Sequence, residues 1–514
     1  MNLLRTLAAI SSMTMLSRIT GLLRESLFAR AFGASAWTDA FIIAFRLPNL
    51  LRRLFAEGAF SQAFVPILSE YKIQHGEAAT KGLVDHVATV LVWVTLLTSL
   101  VGIVGAPLLI LLVGGGLDKT PAAYDSAIIM TRLMFPYITC MSFVALAGGV
   151  LNTWREFKIP AFTPVLLNIS FILASLLLVK PLGIYAMAAA VCVGGLLQVG
   201  IQIPALMKIG MLPRIGLNPL FALRDPGVMR MLKKMGPAVF AVSAAQISLL
   251  INTSIASGLA TGSVSALTYA DRLMEFPTAM LGVALGTILL PSLSKANADG
   301  DTTEYSSLLN WGLRLTFLLA LPAAVGMATL AEPMIATLFH YGAFKAEAIR
   351  SAALPLMAYS AGLIGIILVK TLAPAFYARQ DVRTPVKIAV AVLIFTQLMN
   401  LLFVPVLAVA GLALSIGLGA CMNAGFLYTG LRRAGIYVPG SGWGVFYLKL
   451  ALAVSAMGAL TWYCSSRLDW AAMQATPLLR AGALFAIVAA GGALYFGVLF
   501  ALGFRLGDFK RRAQ

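Results

Sequence analysis

Nine basic residues interrupt the apolar stretches of this sequence: Arg18, Arg24, Arg46, Arg52, Arg53, Arg132, Arg272, Arg314 and Lys370. The acidic residues in the same stretches are fewer: Glu25, Asp39, Glu57, Asp271 and Glu275. A charge inside an apolar helix is expensive, so it normally faces a cavity or a partner. The excess here is positive and is concentrated in the first two stretches. An excess of guanidinium in a cavity suits an anion, because its planar fork bonds two oxygens at once. Phosphate or pyrophosphate is the natural guest. Arg18, Arg24, Arg52 and Arg272 are the candidates for substrate contact. Arg132 and Arg314 lie nearer the ends of their stretches, where snorkelling to a headgroup is expected. Lys370 stays open between the two roles.

Helical spacing sorts the rest. At about 100° per residue, Asp39, Arg46, Arg53 and Glu57 fall within about 40° of one another, provided Pro48 bends the helix little. Arg53 and Glu57 are also i, i+4 neighbours. Arg52 is turned about 100° from Arg53, so one can face a cavity while the other pairs. Arg18 and Arg24 are about 120° apart on an ideal helix. Gly21 between them offers a point of unwinding that would let both converge. Asp271, Arg272 and Glu275 occupy one turn beside Pro277. Asp39, Arg53, Glu57, Asp271 and Glu275 are therefore expected to pair with the arginines or to act as gates.

Nothing points to catalysis. There is no Asp-rich motif for magnesium and no Gly-Lys-Ser/Thr phosphate loop. Cys140, Cys192, Cys421 and Cys464 sit in apolar runs without metal-ligand spacing and read as packing residues. The three histidines are far apart in sequence. No catalytic residue, cofactor or metal is expected. Any energy source is then a gradient, the membrane potential or a partner.

The elements that must position these charges follow from composition. Of 514 residues, 60% are hydrophobic and only 11% are charged. Several soluble cores cannot be clothed with so few charges, whereas spanning helices of about 20 apolar residues can use them. Apolar windows suggest fourteen spans: 5–28, 34–68, 84–113, 124–152, 161–179, 183–207, 235–258, 264–293, 308–331, 348–376, 384–407, 409–431, 443–464 and 479–503. The second and eighth are long and hold Pro48 and Pro66, and Pro277 and Pro291. They should be kinked or partly broken. The N-terminal stretch reads as a retained first span, because Arg18 and Arg24 interrupt it and no small-residue cleavage site follows. With both termini in the cytoplasm, that side holds about 22 of the Lys and Arg residues against about 7 opposite. The net charge of +18 is thereby explained without nucleic acid, for which no RNP-like stretch or zinc-finger spacing exists.

An internal repeat organises the chain. AFVPILSEY (63–71) matches ILLPSLSKA (288–296), and GAPLLILL (105–112) matches AEPMIATL (331–338). TPV recurs at 163–165 and 384–386, preceded by WREFKIPAF in one copy and ARQDVR in the other. LGIYAMA (182–188) resembles AGLALSI (410–416). The expected organisation is an N-lobe over 1–208, a cytoplasmic connector over 209–232, a C-lobe over 233–433, and two appended spans with a basic tail over 434–514. Six spans per lobe make the repeats parallel, around a central cavity. The fold class is an all-α polytopic membrane protein.

SSMTMLSRITGLLRE, TDAFIIAFRLPNLLRRLFAEGAFSQAFVPILSEY and YADRLMEFPTAMLGVALGTILLPSLSK closely resemble the MurJ (MviN) family of bacterial lipid II flippases. The resemblance extends over essentially the whole chain, including LNTW, TPVLLNIS and GLRLTFLLALP. The family belongs to the multidrug/oligosaccharidyl-lipid/polysaccharide exporter superfamily. The resemblance implies alternating access and an undecaprenyl-pyrophosphate substrate carrying the peptidoglycan disaccharide-pentapeptide. It implies a bacterial inner-membrane location, and a groove for the lipid tail formed by the last two spans. The family's essential arginines fall on Arg18 and Arg24 in SRITGLLRE, Arg52 in NLLRR and Arg272 in YADRLMEFP. Asp39 in TDAF matches a position treated as important. Glu57 in FAEGAF lies where the family closes its cytoplasmic gate. Some members bind sodium through acidic residues on spans 7 and 11. Those spans carry no Asp or Glu here, so the membrane potential is the expected driving force. Expected partners are lipid II, membrane lipids and proteins of cell-wall synthesis or division. The competing readings are a related polysaccharide-lipid flippase, an ion-coupled drug exporter of the same superfamily, a non-transporting scaffold and a membrane enzyme.

Overall fold

The computed structural model describes residues 3–53 and 59–505. Glu57 and the basic tail therefore lie outside the described residues. Every regular element among the described residues is helical. The chain divides into two compact units, Met1–Val264 and Ser265–Gln514.

The first unit contains α1 (Leu3–Phe32), α2 (Ala36–Arg52), α3 (Ala59–Gln74), α4 (Gly76–Gly114), α5 (Pro121–Met134), α6 (Tyr137–Thr153), α7 (Lys158–Leu177), α8 (Val179–Leu182), α9 (Tyr185–Lys208), α10 (Pro219–Ala222) and α11 (Pro226–Gly258). The boundary falls just inside α12 (Ser263–Pro277). The second unit continues with α13 (Ala284–Ala298), α14 (Thr302–Thr329), α15 (Ala331–Phe339), α16 (Ala346–Tyr377), α17 (Arg383–Leu407), α18 (Val409–Arg433), α19 (Trp443–Ser466) and α20 (Pro477–Ala501). The contact division thus places α11, which contains the seventh expected span, in the first unit. There it packs on α3 and α4.

Local sequence explains where the helices start. Ser35 accepts a hydrogen bond from the Thr38 amide at the head of α2. Asp225 accepts from Gly227 and Val228 at the head of α11, with Pro226 in the first turn. Asp301 accepts from Glu304 at the head of α14. Such caps satisfy amides that the helix itself leaves unpaired.

Among the described residues ten helical segments are long and apolar enough to cross a membrane, so the chain is a multi-pass helical membrane protein. The remaining expected spans are the first, second, seventh and eighth. These hold the charged α1, the divided α2 and α3, α11, and the divided α12 and α13. Span 8 is interrupted by a π-helical turn at Thr278–Val283, directly after Pro277. Pro48 does not end α2, which continues helically through it to Arg52. Gly21 does not unwind α1 either, since the helix is continuous from Leu3 to Phe32.

The backbone carries the repeat period. Gly76 and Gly300, Arg155 and Gln380, Gly183 and Ala408, and Gly210 and Gly435 all have positive φ. The last three pairs are separated by the same number of residues, and the first by one fewer. The turns match in detail: the Glu156 amide bonds Leu151 O at 2.9 Å, and the Asp381 amide bonds Phe376 O at 3.0 Å.

Within each unit the helices meet through small residues. A Cβ on Gly362 of α16 would lie 2.0 Å from the Gly417 Cα of α18. One on Gly194 of α9 would lie 2.6 Å from the Leu167 side chain of α7. In lipid the hydrophobic drive between helices is weak, so close backbone approach supplies the packing. The first unit's core joins Phe64 and Ile67 of α3, Val87 of α4, Val150 of α6 and Met231 of α11. In the second unit α19 and α20 pack on α14 through Leu318, Leu450 and Tyr495, whose hydroxyl donates to Leu318 O at 2.6 Å.

Candidate functional site

Arg24 is the best-held of the expected substrate residues. It lies on α1, half-buried, and donates to Asn168 Oδ1 of α7 at 3.1 Å. The Glu25 carboxylate pairs with the same guanidinium. The Phe171 ring lies beneath it, 5.2 Å from centroid to Cζ. Asn168 also donates to Ser17 O at 3.0 Å and to Thr20 Oγ1 at 3.1 Å. One buried amide therefore fixes the stretch of α1 from Ser17 to Arg24. Gly21 faces this contact: a Cβ there would lie 3.6 Å from Asn168 Nδ2, an ordinary van der Waals distance. Arg18 lies on the same helix but is exposed.

α2 presents its charges toward α11 and the turn that follows it. Asp39 is buried at 4% exposure, and its Oδ2 accepts from the Gly262 amide at 2.8 Å. Gly262 has φ +88° and closely approaches Ala34 O, so a side chain there would be strained. Two turns along α2, Arg46 donates to Thr253 Oγ1 of α11. Asp39 and Arg46 lie seven residues apart in one helix, α2, and so share a face. Nearby, Lys119 donates to Gly258 O at 2.7 Å and Leu259 O at 3.1 Å, satisfying carbonyls at the end of α11. Arg52 is half-buried and donates through Nε to Asn49 Oδ1 at 2.9 Å. Arg53 is half-buried on the next residue. The expected Arg53–Glu57 pair falls partly outside the described residues.

In the second unit Arg272 pairs with Glu275 at 3.2 Å, both side chains nearly half exposed. Asp271 lies on the same turn. Just beyond, the π-helical turn accommodates Lys370 of α16. A Cβ on Gly282 would lie 2.4 Å from the Lys370 Cδ. Arg314 has a packing role. It donates to Ser441 O at 2.6 Å and lies over the rings of Trp443 and Phe446. Arg132 is exposed and bonds Ile103 O at 3.2 Å.

Sequence reasoning passed over two contributors. Asn168 stood in the quoted TPVLLNIS but was given no role. An amide in so apolar a run was the available signal. Arg480, at the start of the last expected span, is wholly buried. It donates to the carbonyls of Trp470 and His340 at 3.3 Å and covers the Tyr341 ring. Burial, then the neighbouring Arg480 charge, holds the His340 imidazole below its ordinary pKa.

A family model described as lipid II flippase MurJ matches residues 28–480. The chain belongs to the MurJ family. The MurJ relatives include lipid II flippase MurJ of Burkholderia cenocepacia, 56% identical over all of both chains. A probable lipid II flippase MurJ of Haemophilus influenzae is 40% identical over 96% of this chain and 98% of its own. A solved MurJ in an inward closed conformation superposes with TM-score 0.79, at 24% identity, covering 96% of this chain and 99% of the other. An inward-facing multidrug transporter of the MATE family superposes at 0.66, with 14% identity, over 84% and 98%. Both structures share the helical fold of this chain. The sodium-site question set by the MurJ resemblance meets a neutral pair on α17, where Asn400 donates to Gln397 Oε1 at 3.0 Å.

Proposed function

We propose that this chain is a lipid II flippase, a transporter and not an enzyme. It moves undecaprenyl-pyrophosphate-linked peptidoglycan precursor from the cytoplasmic to the periplasmic leaflet of the inner membrane. Full-length identity of 56% to the Burkholderia cenocepacia flippase carries this reading. Fourteen spans with both termini cytoplasmic fit it, since the Lys/Arg bias favours that orientation.

The proposed mechanism gives each charge a task. Arg18, Arg24, Arg52 and Arg272 take the pyrophosphate and headgroup. Arg24 arrives pre-oriented by Asn168 and Glu25, so little side-chain entropy is lost on binding. Asp39 latches the turn before α12 to α2 in this conformation. Glu57 and Arg53 act at the opposite gate, and Asp271 and Glu275 partner Arg272. A bound anion neutralises repulsion among the arginines and so favours the state in which they lie closer. A ligand shifts a conformational equilibrium only by such differential binding.

The test is lipid II binding, by native mass spectrometry in mild detergent. Wild type is compared with the quadruple variant Arg18→Ala, Arg24→Ala, Arg52→Ala and Arg272→Ala. Loss of binding by a folded variant is the expected result. Unchanged binding would move the substrate elsewhere and leave the arginines as gating elements.

A further inference from the structure

The connector between α9 and α11 does not project into water. It runs along α4. The Arg214 amide bonds Asp85 Oδ1 at 2.8 Å, the Gly216 amide bonds Thr89 Oγ1 at 2.8 Å, and Gly216 O accepts from Trp93 Nε1 at 3.0 Å. Asp85, Thr89 and Trp93 are successive i, i+4 positions, one above another on a single face. These contacts take up about 12 Å of α4, at about 1.5 Å per residue, with side chains reaching from both ends to Arg214 and Gly216.

Trp93 marks a boundary on α4. Beyond it the helix exposes Val94, Leu97, Leu100, Val101 and Val104, a surface suited to lipid. Before it, back to Gly76, no large hydrophobic side chain is exposed, while Lys81, Asp85 and His86 carry polar contacts. Tryptophan with its N–H turned to polar groups is characteristic of the membrane–water interface. Beside Trp93 the connector displays Ile215 and Leu217, the latter at 91% exposure, and nearer His86 it displays Leu220 at 70% and Phe221 at 62%, whose ring meets the His86 ring edge-on at 5.8 Å. Short helix α10, capped by Asn218, holds the last two.

Charge selects the occupant of this face. From Lys208 to Lys234 the basic residues are Lys208, Arg214, Arg224, Arg230, Lys233 and Lys234, with Asp225 the sole acid. Asp225 is committed to capping α11 and to His86 Nδ1 at 2.8 Å. Arg230 is committed to Glu70, whose carboxyl it holds below the usual range. Lys208, Arg214, Arg224, Lys233 and Lys234 are all exposed. We infer that the connector is a membrane-surface anchor, with Ile215, Leu217, Leu220 and Phe221 inserted at the interface and Arg214 and Arg224 on anionic phospholipid headgroups. It would hold the first turn of α11 at a fixed depth. The inference does not depend on which substrate is transported.

Hydrogen exchange of the full-length protein in nanodiscs tests this. Phosphatidylcholine discs are compared with discs that also contain phosphatidylglycerol. Amides of 215–224 should exchange more slowly in the anionic discs, by about fivefold for each basic residue engaged. Raised salt should shrink the difference. Arg214→Gln with Arg224→Gln should abolish it, and Leu217→Asn with Phe221→Asn should speed exchange in both discs. Unchanged exchange in α16 and α18 would show that the variants remain folded. Equal wild-type exchange in the two discs would overturn the anchor and leave this face to a soluble protein. A difference that survives the double glutamine variant would overturn the assignment to Arg214 and Arg224.

Discussion

Arg24 shows how a charge in a membrane helix is made specific. The Glu25 carboxylate supplies charge balance, the Phe171 face supplies a stacking floor, and Asn168 supplies direction. Direction is the part most easily tested. Polar side-chain contacts between membrane helices contribute on the order of 1 kcal/mol. Asn168→Ala should therefore weaken lipid II binding about fivefold, with little change in thermal midpoint. Binding equal to wild type would mean that Glu25 alone orients the guanidinium. Arg24 was legible in the sequence because arginine in an apolar run is rare. Asn168 was not, because its value lies in a contact made 144 residues away.

At the scale of elements, the apolar runs themselves announced the helices, and the offset matches announced the repeat. Breaks were less legible. Span 8 is interrupted beside Pro277 as expected, whereas α2 passes helically through Pro48. A proline's effect depends on whether neighbours satisfy the freed carbonyls, which one chain segment does not reveal. The repeat exposes a local conflict instead. Gly183 and Ala408 occupy equivalent turns, with φ and ψ of 53° and −135° against 48° and −126°. Glycine adopts this region readily and alanine does not. Ala408→Gly should raise the thermal midpoint, since the strain removed, about 1–3 kcal/mol, exceeds the entropy penalty of about 0.4–1 kcal/mol. A lowered midpoint would show that the Cβ makes a compensating contact.

For the whole molecule, the outstanding question is energy. The expected seventh and eleventh spans hold no Asp or Glu, and α17 offers an internally bonded Asn–Gln pair. An anionic headgroup held by the proposed arginine site would be subject to the membrane field, worth about 2.3 kcal/mol per charge per 100 mV. Transport of lipid II by purified protein in vesicles should respond to an imposed potential and not to a sodium gradient. The reverse result would require a sodium site without carboxylates. Family and fold class were legible from long motifs spread across the chain. The connector's path along α4 was not, because it depends on three hydrogen bonds that bridge well over a hundred residues.

The pairing of α1 with α7 also bears on how the protein is made. A helix carrying Arg18, Arg24, Glu25 and Arg30 is a poor candidate for release from the translocon into lipid. Each arginine near a helix centre costs about 2.5–3.5 kcal/mol on the insertion scale. Among the described residues, the helix with which α1 packs most extensively is α7, and α7 is synthesised much later. The first helix emerges before its principal partner exists and must wait at the lateral gate, or at the surface, until Asn168 arrives. A water-soluble thiol reagent should reach a cysteine placed at Thr20 (T20C) in chains stopped after Thr153, and fail to reach it in chains stopped after Lys208. Equal labelling would show that α1 partitions unaided. An ordered delay of this kind would tie biogenesis to the proposed substrate chemistry, since the arginines proposed to take the headgroup would postpone the insertion of the helix that bears them.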